Sequence, residues 1–389
     1  MLEGMHRSAR LPASFEPNPL SRLLSERRAA GLPVVDLTVS NPTACGFAYP
    51  ETEIRAALSA PSVLRYTPDP HGSAGAREAV AAHHGRGLRA TDLLLTASTS
   101  EGYALLFKLL GNPSDEVLVP SPSYPLFDWL ARLEGMVARP VSSYFHERWH
   151  LDLGALEAAV SERTCAVVVV NPNNPTGQFL SKTEWKALTD LCARRNLALL
   201  VDEVFSDYAL EAAGDALSTT LEERDPPCPL FLLSGLSKIA ALPQVKLGWI
   251  AVRGPGAADH LEALAFLADQ YLSVSASAQA AAPALLALAP SLQAQVRRRL
   301  RANLRALDAS LAAHPQLSRL PVEGGWSVLL RRPALEGDEA CACRLLRETG
   351  VLAHPGSFFD LPADGHLVLS LLTPETVFRE GLARALPRL

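Results

Sequence analysis

The chain has no basic surplus. Its 36 Lys and Arg face 41 Asp and Glu, which leaves a formal net charge of −5 and a pI near 6.1. Nucleic-acid binders usually carry the opposite imbalance, so that class loses weight. The acidic excess is also too small to require a basic partner. Long apolar runs are missing too: none reaches the ~18 uninterrupted residues of a membrane span. The opening stretch MLEGMHRSARLPASFEPNPL lacks the apolar centre of a signal peptide. Six cysteines (Cys45, Cys165, Cys192, Cys228, Cys341, Cys343) are scattered through a chain too long to need disulfide staples. Cys341 and Cys343 have no matching second pair to complete a metal site. These absences lead us to expect reduced thiols in a soluble, cytoplasmic protein without membrane, nucleic-acid or metal partners. Lysine is the scarcest cation: only Lys108, Lys182, Lys186, Lys238 and Lys246 occur. A lysine at a special place is therefore worth inspecting.

What is present describes a folded α/β protein. The 389 residues are 48% hydrophobic with mean hydropathy +0.10, and 30 Pro and 24 Gly are spread along the chain. Disorder would need low hydrophobicity with high net charge. Short apolar runs predict strands over 92–98, 115–121, 165–171, 197–204, 229–235 and 247–252. Four to six apolar residues ending in turn residues suit a mostly parallel sheet covered on both faces. Helical patterns lie between them, at 101–110, 124–134 and 182–195. The last opens with a capping box, Ser181 followed by Glu184. Strand–helix alternation predicts a large α/β domain, with ligands gathering at the carboxyl ends of the strands. After about residue 285 the texture changes to a long Arg-rich amphipathic helix and two strand-like segments, GGWSVLLRRP and HLVLSLLTP. We expect a large domain over 43–284, and a smaller α+β domain from 1–42 and 285–389. The arginine run 297–301 reads as a solvated helix face.

Polar residues fall where these strands end. NPNNPTG (171–177) follows CAVVVV, Asp202 closes LALLVD, and SGLSK (234–238) follows PLFLL. An Asn, an Asp and a Lys from three strand ends can converge on one small aromatic ligand. Lys238 can form an imine with an aldehyde, Asp202 can hold a heterocyclic nitrogen protonated, and Asn174 can donate to a phenolate oxygen. Pyridoxal 5′-phosphate presents those three groups, and its ring accepts electrons only while its nitrogen keeps a proton.

With these motifs the chain resembles the class I/II aminotransferases of pyridoxal-phosphate fold type I, over nearly its whole length. NPNNPTG is similar to that family's Asn-Pro-x-x-Pro-Thr-Gly segment, VDEVF to its Asp-Glu-x-Tyr segment, and SGLSKIAALPQVKLGW to its lysine segment. The gaps of 28 residues from Asn174 to Asp202 and 36 from Asp202 to Lys238 also match. The resemblance implies a Schiff-base lysine at Lys238, which later moves the α-proton. It implies Asp202 against the pyridine nitrogen, Asn174 on O3′, Tyr124 stacked on the ring, and Thr99 and Ser100 on the phosphate. Tyr66 would reach the phosphate of a neighbouring subunit, making the active unit a homodimer. The implied activity is transamination between a small amino donor and a keto acid or aldehyde. Two alternatives remain at this point: β-elimination by a C–S lyase, and a catalytically silent relative that only binds a ligand.

Four positions depart from the resemblance. Phe205 replaces a tyrosine that usually bonds O3′, which predicts a raised imine pKa. Gly235 replaces a phosphate-contacting Ser or Thr. Lys246 replaces a bidentate Arg, and Lys is not an equivalent clamp. Ser234, Ser98 and the hydroxyls of Thr99 and Ser100 are the available compensations. Val368 stands where an arginine grips the substrate carboxylate. Arg331, Arg332 and His354 are the candidate replacements, and Ser40-Asn41 is expected to line the substrate mouth.

Two histidine patterns compete. His146-Glu147-Arg148-Trp149-His150 has the H-E-x-x-H spacing of zinc peptidases, but that chemistry needs both histidines on one helix face. Pro140, two serines and the following LDLG make a helix there unfavourable. His83-His84 lacks metal spacing and reads as a solvated helix end.

Overall fold

Segments such as CAVVVV and LALLV have no polar face, so they are stable as strands only between two covering layers. The computed structural model describes residues 8–389; residues 1–7 of the expected N-terminal arm lie outside the described residues. In chain order the strands are β1 (Val35–Asp36), β2 (Leu93–Thr96), β3 (Glu116–Ser121), β4 (Val137–His146), β5 (Arg148–Leu151), β6 (Thr164–Val170) and β7 (Ala198–Asp202). They continue as β8 (Leu230–Gly235), β9 (Gly248–Arg253), β10 (Ser318–Arg319), β11 (Ser327–Arg331), β12 (Val351–Leu352), β13 (His354–Pro355) and β14 (His366–Ser370).

The large sheet runs β2-β9-β8-β7-β6-β3-β4-β5. Each of the six predicted strands contributes one member. Strands β4, β3, β6, β7 and β8 are mutually parallel, while β9 is antiparallel to both β8 and β2. Hydrophobicity carries no direction, so β9's reversal was not legible. The hairpin β4–β5 was missed because β4, next to the edge strand β5, is mostly exposed and is not an apolar run. The centre is dry: every residue of β7, β8 and β9 is buried. Burying one such Leu or Val is worth about 2 kcal/mol over leaving it exposed, which keeps polar residues to the strand ends.

The helix Thr99–Leu110 lies so close to this sheet that a Cβ on Gly102 would come 2.8 Å from Leu233 Cδ2. That approach fixes the helix N-terminus beside the ends of β2 and β8. The smaller sheet runs β10-β11-β14-β13, and the parallel pair β1–β12 ties the N-terminal segment to the C-terminal part. The long helix spans Ala276–Leu311, starting earlier than the Arg-rich segment suggests, and it contains Pro283 and Pro290. It packs Ala278 to Ala289 with the large unit and Val296 to Leu307 with the small one. Its arginine run is not simply solvated: Arg297 donates to Asp207 O, and Arg299 donates to Cys45 O and Leu372 O. Among the described residues, no helix is long and apolar enough to cross a membrane.

Candidate active site

The strand ends enclose a cavity of about 400 Å³. Adjacent parallel strands in register bring the three motifs together, with Val170 opposite Asp202 and Asp202 opposite Leu233. Asn174, Asp202, Lys238, Tyr124, Thr99, Ser100 and Lys246 all line this cavity.

Lys238 sits in the short helix Leu236–Ile239, just past β8. Burial lowers its ammonium pKa, opposed by the charge of Asp202. Its Nζ lies 5.6 Å from the Phe205 ring centroid and 5.1 Å from that of Trp326. Tyr208 donates to the Lys238 carbonyl at 2.5 Å, which pins the lysine backbone.

Asp202 accepts from the Val204 amide at 3.1 Å and from the Tyr103 hydroxyl at 3.2 Å. Burial pushes its carboxyl up to about 6, against the pull of those bonds and of Lys238. Such a group holds a proton or a protonated partner more readily than a solvated aspartate.

The NPNNPTG loop is mostly scaffolding. Asn171 donates to Leu217 O and accepts from Leu180 N, while Thr176 donates to Asn173. Gly177 has φ +72°, and a Cβ there would meet Gly324 O at 2.7 Å. Only Asn174 of the loop lines the cavity. Its Oδ1 accepts from Ser327 Oγ at 3.2 Å, leaving the amide nitrogen as its donor.

The helix Thr99–Leu110 is capped by Ser98, whose Oγ accepts from the Glu101 amide at 3.2 Å. The Thr99 and Ser100 amides stay at the positive end of the helix dipole, where an anion is favoured. Lys246, in a left-handed backbone conformation, starts the turn leading to Gly248. That turn abuts this helix end: a Cβ on Gly248 would lie 3.1 Å from the Ser98 carbonyl carbon. Gly235 cannot take a larger side chain without backbone movement, since a Cβ would meet Leu247 O at 2.9 Å.

Tyr66 lies elsewhere. It is 84% exposed and lines a second cavity of about 390 Å³ with Arg65, Asp69, Glu101 and Tyr271.

Two of the three candidate carboxylate grips are excluded by geometry. The Arg332 side chain is 2% exposed and spent on Asp338 at 2.9 Å and on the carbonyls of Pro333 and Glu336. Arg331 is exposed at the end of β11, bonds Ser318, and does not reach the cavity. His354 does line it, directly opposite Val368 in the β13–β14 register. Ser40 lines the cavity, but Asn41 does not; it caps Pro42–Ala44 by accepting from Thr43.

The competing histidine motifs also resolve. Residues 146–150 form the β4–β5 hairpin, with Glu147 at the turn, so no helix face joins the two histidines. The Arg148 of that motif instead bridges Glu323 at 2.7 Å and Glu184 at 3.4 Å. His84 is not a solvated end: it accepts from Trp249 Nε1 at 3.1 Å, and burial lowers its pKa to about 3.

Tyr103, Trp326, Ser327 and Ser370 were missed from the sequence, although all line the cavity. Tyr103 had a signal, standing one helical turn after Thr99. The others are ordinary members of small-sheet segments until folding brings them to the large sheet's edge.

The donor set fits a planar phosphorylated pyridine aldehyde. A buried amine with lowered pKa, a buried carboxylate, an amide donor and the Thr99 and Ser100 amides at a helix start surround one cavity.

Comparison with known proteins agrees. The sequence profile of aminotransferase class I and II matches residues 33–382. An alanine aminotransferase from Mycobacterium tuberculosis is 28% identical over 95% of this chain and 88% of its own length. An S-alkyl-thiohydroximate lyase from Arabidopsis thaliana is 32% identical, but over only 46% of this chain and 39% of its own. The solved structure of a Thermus thermophilus aspartate aminotransferase double mutant superposes with TM-score 0.86 at 27% identity, covering 99% of this chain and all of that one. Full-length similarity thus favours transamination over elimination. The chain belongs to the class I and II aminotransferase family.

Proposed function

We propose that this aminotransferase holds pyridoxal 5′-phosphate in the 400 Å³ cavity and that Lys238 is its catalytic amine. The observation that carries this reading is the buried Lys238 amine, just past the end of β8, together with the buried Asp202 that ends the neighbouring strand β7. When bound, the cofactor supplies an aldehyde that condenses with amines and a ring that draws electrons from the donor's α-carbon.

The chain's own residues do the rest. Lys238 Nζ, whose charged form burial disfavours, would serve as nucleophile and then accept the α-proton and return it. Asp202, steadied by Tyr103 and Val204, retains a proton on the ring nitrogen. Tyr124 would cover one ring face, and the Asn174 amide would donate to the phenolic oxygen. The Thr99 and Ser100 amides with Lys246 receive the phosphate.

The expected partners are a small amino donor and a carbonyl acceptor, used in turn. Tyr66 fits best in a homodimer, serving the other copy's phosphate. Tyr66 and Tyr271 expose large aromatic surface at the second cavity, which supports such an interface. The six unpaired cysteines suit a cytoplasmic setting. We divide the chain into a large unit over 43–284 and a small unit from 1–42 and 285–389.

Absorption spectroscopy tests the reading directly. The purified protein with added cofactor should develop a visible band that an amino donor bleaches and a carbonyl acceptor restores. A protein that stays colourless, or whose band ignores every donor, is not working this way.

Phe205 supplies a second check. It lines the cavity without the hydroxyl that could stabilise the cofactor's phenolate. Replacing it with tyrosine should lower the pH midpoint of the visible band by about one unit. An unchanged midpoint would show that the missing hydroxyl is irrelevant to the cofactor's titration.

A further inference from the structure

We propose that the amino donor of this enzyme carries no carboxylate on its reacting carbon and is a primary amine with an apolar or aromatic body. The inference rests on the aminotransferase reading above and concerns the end of the cavity walled by the small sheet and the N-terminal segment.

That end is formed by Val368, His354, Ser370, Thr38 and Ser40. None is a permanent cation. Ser370 Oγ is already spent, donating to Val39 O at 2.5 Å and accepting from Leu372 N. The Thr38 hydroxyl donates to Asp36 at 2.6 Å. His354 is flanked by Phe358 and Phe359. Burial lowers its imidazole pKa and so disfavours the cationic ring, a shift that the charge of Asp36 only partly opposes.

Among the described residues, the only fixed positive charges on the cavity wall are Lys238 and Lys246. Lys238 is committed to the chemistry, and Lys246 belongs to the turn packed on the anion-binding helix end. The two other candidate arginines are consumed by Asp338 or turned to Ser318. A carboxylate desolvated against Val368 would therefore be buried without a fixed positive charge of this chain to pair with, which is unfavourable. Apolar walls point the same way: Phe127, Leu130, Val204, Phe205, Trp326 and Phe359 line the cavity.

Donor and acceptor occupy this cavity in turn, so the acceptor carbonyl obeys the same rule. In the net exchange R–CH₂–NH₂ and R′–CHO become R–CHO and R′–CH₂–NH₂. The donor carbon loses the electron pair that the acceptor carbon gains, and no outside oxidant enters.

Two measurements on the cofactor-loaded protein test this. First, bleaching of the visible band is timed with 2-phenylethylamine and with L-phenylalanine. The amine should have a kcat/KM at least about tenfold higher. Val368→Arg should reverse that order, while a preference of the unaltered enzyme for phenylalanine overturns the inference. Second, calorimetric titration compares 3-phenylpropanol with 3-phenylpropionate, independent of turnover. The neutral alcohol should bind more tightly, and tighter binding of the carboxylate overturns the inference even if no donor reacts. A band unmoved by any donor would count against transamination itself, leaving the titration to decide the pocket's charge preference.

Discussion

Replacing Lys238 with alanine will leave a folded protein without a visible cofactor band and with transamination reduced by about 10,000-fold or more. The size of the effect follows from two roles on one atom. Nζ is the nucleophile that receives the cofactor and the base that moves the α-proton, and the second lysine of the cavity, Lys246, stands at the anion-binding turn instead. Folding should survive, because the native state holds this amine in an unfavourable place. Burial lowers its pKa, so removing it relieves desolvation rather than breaking an ion pair. Circular dichroism and thermal melting of the apoprotein should match or slightly exceed the parent. A folded variant that keeps its band or its turnover would remove Lys238 from the mechanism.

Asp202→Asn should split stability from activity. The native carboxyl titrates at about 6, raised by burial from its ordinary 3.8. The folded state therefore binds this proton more tightly than the unfolded one. Between those two values stability falls as pH rises, and above about pH 6 the full penalty applies. The shift corresponds to about 3 kcal/mol, which sets the ceiling for what the neutral amide could return. The apo variant should melt higher than the parent at pH 8 and equal it near pH 4. Activity should move the other way, falling by about 100- to 10,000-fold, since an amide cannot keep the ring nitrogen protonated. Added cofactor should also stabilise the variant less than the parent. Equal melting at both pH values would mean Asp202 is not strained in the apoprotein, and undiminished turnover would remove it from the cofactor site.

Much of this was legible in the chain before folding. Apolar runs located six strands of the large sheet, because a strand buried on both faces must be apolar throughout. The helix start at Ser181 was readable because its capping box is local: Ser181 Oγ takes the Glu184 amide, and Glu184 returns a bond to the Ser181 amide. The ordered spacing of Asn174, Asp202 and Lys238 was informative because each follows a strand, and strand ends of one parallel sheet share an edge.

What the sequence alone could not decide is which cations face the cavity. Arg331, Arg332 and His354 lie within 24 positions and looked alike as candidates. Folding sent Arg332 into a buried pair with Asp338, turned Arg331 toward Ser318, and put His354 across from Val368. Likewise His84 became an acceptor for Trp249, 165 positions away. Local sequence determines strands, caps and the side chains just past them, because those depend on near neighbours. The charge of a pocket depends on which distant groups have already neutralised one another, and only the tertiary structure decides that.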